Sequence, residues 1–375
     1  MLIGVDGNEA NLENRVGIGQ YVYQILKGFH GKNSEDLLFQ VYLKEKPINS
    51  LPVANSRFSY KIFGPKPFWT QFALPLRLCF TTERPNIFFT PTHYLPRFSP
   101  IPSVMSIMDL SYIFFPHLFQ KKDLWQLKFW TSYSVKKAKK ILTISQFSKS
   151  AIVDYYKVEK SKVVVIYPDI EHKYFNIDKI SNQKINKMLE SYKITNNFIL
   201  FVGTLQPRKN IIRLIEAFSK LLNSSADKSF QLVIVGKKGW LFNHIFQKVR
   251  ELKLENKIIF TGYVHDEELA MFYRRALCFV LPSLYEGFGL PVVEAMACGC
   301  PVVTSNVSSL PEIALDCAIL VDPYKTDDIA EGIYKASYDN KTRDRLIARG
   351  LNRAKIFNWD KCCKETLEVL KKCAI

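Results

Sequence analysis

The sequence predicts an α/β protein built from two doubly wound parallel sheets, and three observations support this prediction. The chain has 375 residues, enough for two domains with separate cores. Short apolar runs alternate with helical stretches along both halves, which is typical of parallel strands joined by helices. A polar stretch over 177–193 separates the halves. We therefore expect two sheets that face a cleft, with ligands bound at the carboxyl ends of their strands.

Residues 1–180 are the first predicted domain. Its predicted strands are Leu2–Asp6, Phe39–Leu43, Tyr60–Phe63, Ile87–Thr90, Ser103–Ile107, Lys140–Ile144 and Val163–Ile166. Its predicted helices are Ile18–Phe29, Phe68–Cys79, Lys122–Ala138 and Gln146–Tyr156. The first strand meets an acid at Asp6 and follows no basic segment, so we expect no signal peptide.

Residues 181–355 are the second predicted domain, in which the same alternation is more regular. Its predicted strands are Phe198–Val202, Gln231–Val235, Lys257–Phe260, Cys278–Leu281, Val302–Ser305 and Ala318–Val321. Its predicted helices are Ile211–Leu222, Leu241–Leu252, Asp266–Arg275, Pro291–Ala297, Leu310–Ala314 and Thr326–Ser337. This order predicts one doubly wound domain.

The composition indicates an ordinary soluble globular protein, with 47% hydrophobic and 23% charged residues. No segment reaches the ~18 apolar residues that span a bilayer. The eight cysteines form no Cys-x-x-Cys pairs near histidines, so we expect no zinc site. Cys278, Cys298 and Cys317 lie in apolar segments, which is typical of buried thiols in a reducing compartment. We therefore expect a cytoplasmic protein.

The net charge is +17, and its densest basic patch lies between Lys121 and Lys140, where seven lysines and several aromatic residues accompany a single acid, Asp123. Three interpretations stay open for a helix here. It lies on an anionic membrane surface, it lines a nucleic-acid groove, or it is a solvated helix whose apolar stripe packs in the core. The chain shows no basic-region, zinc-finger or RNA-recognition pattern, so we expect no nucleic-acid partner.

Two acids, Glu286 and Glu294, flank a glycine-rich turn. Pro291 suits the first turn of a helix that begins near Leu290. Such a helix places Glu294 one turn inside and Glu286 on the preceding loop, with unpaired N–H groups facing the same volume. This arrangement suits a ligand that carries both an anion and hydroxyls, such as a sugar nucleotide. The alternative is a capped surface turn.

Two further segments carry glycines or cations just before or at the start of a predicted helix. Gly203 ends the strand Phe198–Val202, and Arg208 and Lys209 follow on a short loop. At a carboxyl strand end these cations can neutralise a diphosphate without a metal, although a solvated loop is the alternative. Gly17 and Gly19 let the backbone approach a phosphate at another helix start. A plain loop-to-helix entry fits these glycines equally well.

Taken in chain order, four motifs resemble the retaining nucleotide-sugar glycosyltransferases of the GT-B fold, glycosyltransferase family 4. They are Gly17-Ile18-Gly19-Gln20-Tyr21, Ser145-Gln146-Phe147-Ser148, Val202–Asn210 and the Glu286–Glu294 block. The resemblance covers nearly the whole chain and is densest from Phe198 to Pro323. It implies two Rossmann-like doubly wound domains facing an interdomain cleft. It also implies that a C-terminal helix over 356–375, containing Trp359, returns to the first domain.

The resemblance implies transfer of a hexose from a nucleotide-diphosphate sugar to a glycan or lipid-linked acceptor, with retention of configuration and without a metal or cofactor. The segment Gln206–Asn210 resembles mannosyltransferase-like relatives, so GDP-mannose is the preferred donor and UDP-sugars stay open. With the basic first domain, this implies cell-surface polysaccharide synthesis by a cytoplasmic protein that associates peripherally with the inner face of the membrane.

The resemblance also implies roles for individual residues. Glu294 matches the acid that binds the ribose hydroxyls, and Glu286 the acid that contacts the donor sugar. Lys209 and Arg208 match the cations on the diphosphate. The other implied donor-binding positions are Gly17 and Gly19 at the phosphates, Gly203 at its strand end, Phe288, Gly289 and Leu290 through backbone N–H groups, and Tyr263 and Val264 at the base. Asp109 is an implied catalytic residue.

Two positions depart from the family pattern. Met108 stands where a histidine often precedes Asp109, and methionine neither donates to a sugar hydroxyl nor takes a proton. His93 either substitutes for that histidine or is structural. Thr204 occupies the place of an arginine, which leaves the diphosphate to Arg208 and Lys209. Because of Met108, a catalytically silent subunit that binds a nucleotide sugar is the alternative function.

Overall fold

The computed structural model of the chain describes residues 1–15, 17–32, 36–178, 180–195, 197–224 and 229–374. The chain divides into two compact units. The first unit comprises Met1–Pro168 together with Asn358–Ile375, and the second comprises Asp169–Phe357. The chain therefore leaves the first unit after residue 168 and returns to it for its last segment.

Each unit contains a parallel sheet. The strands of the first are β1 (Leu2–Asp6), β2 (Leu38–Leu43), β3 (Phe58–Ile62), β4 (Ile87–Thr90), β5 (Ser103–Ser106), β6 (Lys140–Thr143) and β7 (Val163–Val165). The strands of the second are β8 (Phe198–Val202), β9 (Gln231–Val235), β10 (Ile258–Gly262), β11 (Cys278–Leu281), β12 (Val302–Ser305) and β13 (Ile319–Val321). Neighbouring strands in both sheets pair in parallel.

Helices connect these strands. Before β8 they are α1 (Ile18–His30), α2 (Ala73–Phe80), α3 (Ser111–Phe114), α4 (Lys121–Lys137), α5 (Gln146–Tyr156) and α6 (Asn182–Ser191). After β8 they are α7 (Ile211–Ser224), α8 (Asn243–Glu251), α9 (Asp266–Arg275), α10 (Leu290–Ala297), α11 (Leu310–Ala314), α12 (Thr326–Tyr338), α13 (Asn340–Ala354) and α14 (Trp359–Ala374).

The strand order makes both sheets doubly wound. Over the described residues the first sheet runs β3-β2-β1-β4-β5-β6-β7 and the second runs β10-β9-β8-β11-β12-β13. The order reverses between β1 and β4 in one sheet and between β8 and β11 in the other. In such sheets ligands bind outside the carboxyl ends of the strands, at the point of reversal. This architecture confirms the predicted fold class.

The last helix, α14, belongs to the core of the first unit. It buries Cys362, Cys363, Leu367 and Leu370 among the apolar residues of α1 and the sheet. Gly28 of α1 makes this packing possible, because a β-carbon there would overlap Cys363. Burying each large apolar side chain contributes roughly 1.5–3 kcal/mol, which is enough to hold the end of the chain on this unit.

Four helices differ from the sequence predictions, and the shortest of them, α3, lies where no helix is predicted. The polar stretch over 177–193 contains α6, because Ser181 accepts a hydrogen bond from the Lys184 N–H at 3.3 Å and an apolar stripe is buried beneath the helix. No helix is predicted over 340–354, where α13 begins behind the Asp339 cap and packs on α10. The helix predicted from Phe68 begins at Ala73 instead, after irregular turns.

The other elements agree with their predictions to within two residues at most ends. Cys278, Cys298 and Cys317 are buried free thiols, as predicted. Of the helices in the described ranges, none has the length and apolar content that a membrane span requires.

Candidate active site

Two loops meet at the reversal point of the second sheet. One follows β8 and contains Arg208 and Lys209; the other follows β11 and contains Glu286. The Leu284 N–H donates to the Arg208 carbonyl at 2.8 Å. Asn210, held in the left-handed region at a φ of 59°, donates from Nδ2 to the carbonyls of Pro282 and Pro323 at 3.0 and 2.7 Å. These bonds hold both loops in one position.

The side chains of Arg208, Lys209 and Glu286 form a buried ion-pair cluster. Glu286 is 6% exposed and Lys209 is 7% exposed. The Lys209 Nζ donates to Glu286 Oε1 at 2.5 Å, and the Arg208 Nη1 donates to Oε2 at 3.1 Å. Ser283 also donates to Oε1, at 2.7 Å. Two cations and one anion leave the cluster with a net positive charge.

The pKa of Glu286 reflects this arrangement. Burial by itself raises the pKa of a carboxyl group, but the charges of Lys209 and Arg208 and the hydrogen bonds from Lys209 and Ser283 lower that of Glu286 to about 2. Glu286 is therefore ionised throughout the neutral range. Its charge offsets the cost of burying Lys209 without a ligand.

The turn after Glu286 is held by two serines. The Ser309 hydroxyl lies 2.9 Å from the carbonyl oxygens of both Glu286 and Phe288 and donates to them. The Glu286 N–H donates to Ser308 Oγ at 3.1 Å. Gly289 has a φ of 105°, and a β-carbon there would lie 2.8 Å from Leu310 Cδ2. The helix α10 then begins at Leu290, as predicted. The N–H groups of its first turn, which have no partner within the helix, follow Glu286 by only a few residues in the sequence.

Glu294 lies one turn inside α10, where it is partly buried. Its Oε2 accepts a hydrogen bond from the Tyr273 hydroxyl at 2.9 Å. Burial raises the pKa of Glu294 to about 7; the bond from Tyr273 lowers it and the charge of Asp266 raises it further. Near neutral pH this carboxyl group is therefore only partly ionised.

Glycines end three adjacent strands of the same sheet. The Gly203 N–H donates to the Val235 carbonyl at 2.9 Å, and the Gly236 N–H donates to the Gly262 carbonyl at 2.8 Å. A β-carbon on Gly203 would lie 3.5 Å from Lys209 Cε, so this glycine is next to the ion-pair cluster. These glycines carry no side chain of their own; Gly262 is exposed, and Gly203 and Gly236 are partly exposed.

Lys237 and Tyr263 form a cation–π pair at the same edge. The Lys237 Nζ lies 4.4 Å from the centroid of the Tyr263 ring, which is 42% exposed. Val264, the next residue, is buried. The sequence reasoning did not single out Lys237, although it follows a strand and a glycine in the same way as the predicted cations.

The first unit holds the remaining predicted residues. Gly17 caps α1 at a φ of 53°, and Gly19 lies in the first turn, where a β-carbon would approach the Glu9 carbonyl to 2.9 Å. Val16, the residue before them, lies outside the described residues. These glycines follow β1, and His93 follows β4, so both segments lie at the reversal point of the first sheet.

Met108 and Asp109 follow β5. Met108 packs partly buried against the core, and its carbonyl accepts a hydrogen bond from Ser148 Oγ at 3.1 Å. Asp109 Oδ1 accepts from the Ser111 N–H at 2.8 Å. Burial lowers the pKa of His93, whereas the charge of Asp109 raises it. Among the described residues the His93 Nδ1 has no hydrogen-bond partner.

The structure thus brings Arg208, Lys209, Glu286 and Gly203 together. Sequence reasoning missed Ser283, which contacts Glu286, and Tyr273, which contacts Glu294. The position of Ser283 immediately after a strand was a usable signal, whereas Tyr273 lies within an ordinary helix and had none. Within the ranges that the structure describes, no three His, Cys, Asp or Glu side chains are grouped so that they could hold a metal ion.

Comparison with known proteins identifies the family. The family profile described as "Glycosyl transferases group 1" matches residues 184–353. The O-antigen chain mannosyltransferase B of Escherichia coli is 35% identical over 383 residues, which cover 99% of this chain and 96% of that protein. The chain belongs to the group 1 glycosyltransferases. The prediction from the sequence motifs that this chain is a glycosyltransferase is therefore confirmed.

Two further relatives agree with this assignment. The serotype-specific mannosyltransferase WbdA of Escherichia coli is 32% identical to this glycosyltransferase over 60% of the chain, which spans 27% of that longer protein. Anabaena Alr3699/HepE, crystallised in complex with UDP and glucose, superposes with a TM-score of 0.75 at 18% identity, over 99% of each chain. The latter likeness concerns the fold, and this group 1 glycosyltransferase has the predicted GT-B fold.

Proposed function

We propose that this glycosyltransferase moves a hexose from a nucleotide-diphosphate sugar to a glycan or lipid-linked acceptor, with retention of configuration and without a metal. GDP-mannose is the proposed donor, and UDP-sugars are the alternatives. The observation that carries the proposal is the buried, net positive cluster of Lys209, Arg208 and Glu286 at the reversal point of the second sheet. The two mannosyltransferase relatives support the choice of mannose as the transferred sugar.

The proposed chemistry follows from where charge develops. As the glycosyl–phosphate bond breaks, the sugar becomes oxocarbenium-like and negative charge grows on the departing diphosphate. Lys209 and Arg208 are already fixed by Glu286, so they stabilise that charge without reorganising. The acceptor attacks from the face that the diphosphate leaves, and the departing phosphate takes the acceptor proton. A histidine at position 108 is not required for this route.

The donor is tested directly by thermal unfolding of the purified chain with sugar nucleotides. At equal concentration, a ligand that binds the folded state more tightly raises the melting temperature more. We expect GDP-mannose to raise it more than UDP-glucose or UDP-N-acetylglucosamine. A larger rise with a UDP-sugar would mean that the donor is a UDP-sugar bound at the same site. No rise with any sugar nucleotide would contradict the proposal.

A catalytically silent subunit remains the second candidate, because Met108 replaces the family histidine. Here we expect the wild-type chain to transfer or hydrolyse the donor above background, and Met108→His to change the rate by less than about tenfold, because the phosphate takes the proton. Met108→Leu is the matched control for packing. Donor binding without turnover in the wild type, together with a large gain in Met108→His, would favour the silent subunit.

Donor binding should depend on pH through Glu294. A carboxylate accepts hydrogen bonds from ribose hydroxyls better than a carboxylic acid does, and the pKa of Glu294 is about 7. We therefore expect the donor KM to fall by up to about tenfold as pH rises from about 6 to 8. Glu294→Gln should raise the KM and remove this dependence. Glu331→Gln, an exposed acid on α12, is the control and should behave as the wild type.

A further inference from the structure

The segment around α2 is apolar on two opposite faces. Phe68, Phe72, Leu76 and Phe80 recur every four residues, and their exposed fractions are 64%, 63%, 57% and 82%. Leu76 and Phe80 lie on one side of α2, and in the turns before it the ring centroids of Phe68 and Phe72 are 6.3 Å apart. The opposite side buries Trp69, Leu74 and Leu78 in a core cluster. One side therefore anchors the segment, and the other presents large apolar groups to solvent.

Aromatic residues of α4 extend this exposed row. Trp125 and Phe129, four residues apart, are 62% and 52% exposed, and their rings stack with centroids 5.2 Å apart. The Phe68 ring lies 6.5 Å from the ring of Trp130, which connects the two helical segments. Phe98 is 82% exposed and joins the same surface through its N–H, which donates to the Tyr133 hydroxyl at 3.2 Å.

We call this surface the docking face; it consists of Phe68, Phe72, Leu76, Phe80, Phe98, Trp125 and Phe129. Seven large apolar side chains exposed on neighbouring segments exceed what isolated surface residues explain, and such patches mark interaction sites. None of these residues belongs to the candidate active site of the second unit.

Basic side chains surround the docking face. Lys121, Lys122 and Lys128 of α4 are exposed, with Asp123 the acid among them. The Arg97 guanidinium lies 5.4 Å from the ring centroids of both Phe129 and Tyr133. Arg77 lies exposed on α2 beside Leu76. The surface thus combines large apolar groups with an excess of positive charge.

We propose that the docking face inserts into the surface of an anionic lipid bilayer. Phenylalanine, leucine and tryptophan side chains enter the boundary between headgroups and acyl chains, and lysine and arginine pair with the lipid phosphates. A second copy of the chain is a poor occupant, because it would bring like charges together. The row of Leu76 and Phe80 at helical spacing fits a continuous hydrocarbon layer better than separate stacked bases.

This inference rests on the proposed function in one respect: it names the membrane as the place where the chain encounters a lipid-linked acceptor. The observations behind the docking face are independent of the donor site. A lipid-linked acceptor carries its anionic phosphate at the headgroup level. A chain docked by its first unit would therefore encounter that acceptor by diffusion in two dimensions. Vesicle binding is measured without a sugar nucleotide, so the membrane proposal and the donor proposal can be contradicted independently of each other.

The full chain should sediment with vesicles rich in phosphatidylglycerol and bind pure phosphatidylcholine vesicles at least about tenfold more weakly. High salt should reduce binding to the anionic vesicles, and the tryptophan fluorescence of the chain, to which Trp125 contributes, should shift to the blue on binding. Equal binding to both vesicle types, or none to either, would overturn the proposal. So would salt-sensitive capture of single-stranded or duplex DNA in place of vesicles.

Paired variants separate the docking face from folding. Phe72→Ser combined with Trp125→Ser should weaken binding to anionic vesicles by at least about tenfold, because both side chains enter the lipid. Tyr334→Ser removes an aromatic residue that is 52% exposed on α12 of the second unit, and should have no effect. Both proteins should keep the melting temperature and donor response of the wild type. Undiminished vesicle binding by the double variant, or a dimer in light scattering that it abolishes, would contradict the assignment.

Discussion

Lys209→Ala is expected to lower the rate of sugar transfer by at least about 100-fold, because a fixed positive charge near the departing diphosphate is lost. The Lys209 ammonium is buried and lies 2.5 Å from Glu286, and a water molecule in its place would carry no positive charge. The loss should appear in kcat, since the charge on the diphosphate is largest in the transition state. Steady-state kinetics with saturating donor measures it.

A matched lysine controls for the loss of charge. Lys220 pairs with Asp327 at 2.6 Å, but both side chains are mostly exposed. Lys220→Ala removes the same group and one ion pair from the surface, where such pairs contribute little. We expect wild-type transfer and an unchanged melting temperature. A comparable loss in both variants, or full activity in Lys209→Ala, would contradict the assignment of Lys209.

Lys209→Ala should also destabilise the fold, and the size of this loss of stability should depend on pH. Removing one partner of a buried pair costs up to roughly 3–5 kcal/mol because the remaining charge is uncompensated. The pKa of Glu286 is about 2 in the folded chain against an ordinary 4.5. The stabilisation from this lowered pKa is therefore present above pH 4.5 and disappears as pH falls to about 2. The stability difference between wild type and Lys209→Ala should narrow across that interval. Urea unfolding at several pH values measures it.

Gly236→Ala is expected to destabilise the second unit by about 3 kcal/mol, because the added β-carbon would overlap the carbonyl group of Gly203. The neighbouring atoms are backbone and cannot rotate away, so the ends of β8 and β9 must separate. Gly236 also has a φ of 149°, which L-residues rarely adopt. Because Gly203 begins the loop that carries Arg208 and Lys209, donor binding should weaken as well.

Gly262→Ala separates steric overlap from backbone strain. Gly262 ends the neighbouring strand at a φ of 77°, but a β-carbon there would have nothing within 4 Å. Only the cost of holding alanine in this backbone conformation applies, so we expect Gly262→Ala to lower the free energy of unfolding by about 1 kcal/mol. Denaturant unfolding of the two variants gives the comparison. Equal losses of stability would mean that contact with Gly203 does not limit substitution at Gly236.

Much of the fold followed from the sequence because its signals are local. Most strands of the two parallel sheets are buried on both faces and appear as short apolar runs, and Gly, Pro and Ser mark the ends of most elements. The start of α10 at Leu290 is such a case, since Pro291 and Gly289 each suit one position of a helix start. The family motifs could be placed after strands for the same reason. The helices α6 and α13 were missed because their apolar stripes are narrow and their surroundings are polar.

The site was predictable only in part. The sequence placed Arg208, Lys209 and Glu286 after the carboxyl ends of strands. It did not predict that their side chains touch, because Lys209 and Glu286 are 77 positions apart in the chain. Tyr273 gave no signal because its role depends on how α9 packs against α10. The basic helix over 121–137 had three open interpretations. Its Leu124 and Leu127 pack against the core, whereas Trp125 and Phe129 remain exposed.

By itself, then, the sequence determined the alternation of strands and helices, the two parallel sheets, the family and the residues that follow each strand. Periodicity and turn chemistry encode those features within windows of a few residues. Only the tertiary structure decided which distant side chains meet, how Glu286 holds the buried Lys209 and the partly buried Arg208, and which aromatic residues stay exposed. These outcomes depend on strand order and on packing between segments far apart in the chain, and no local pattern specifies such contacts.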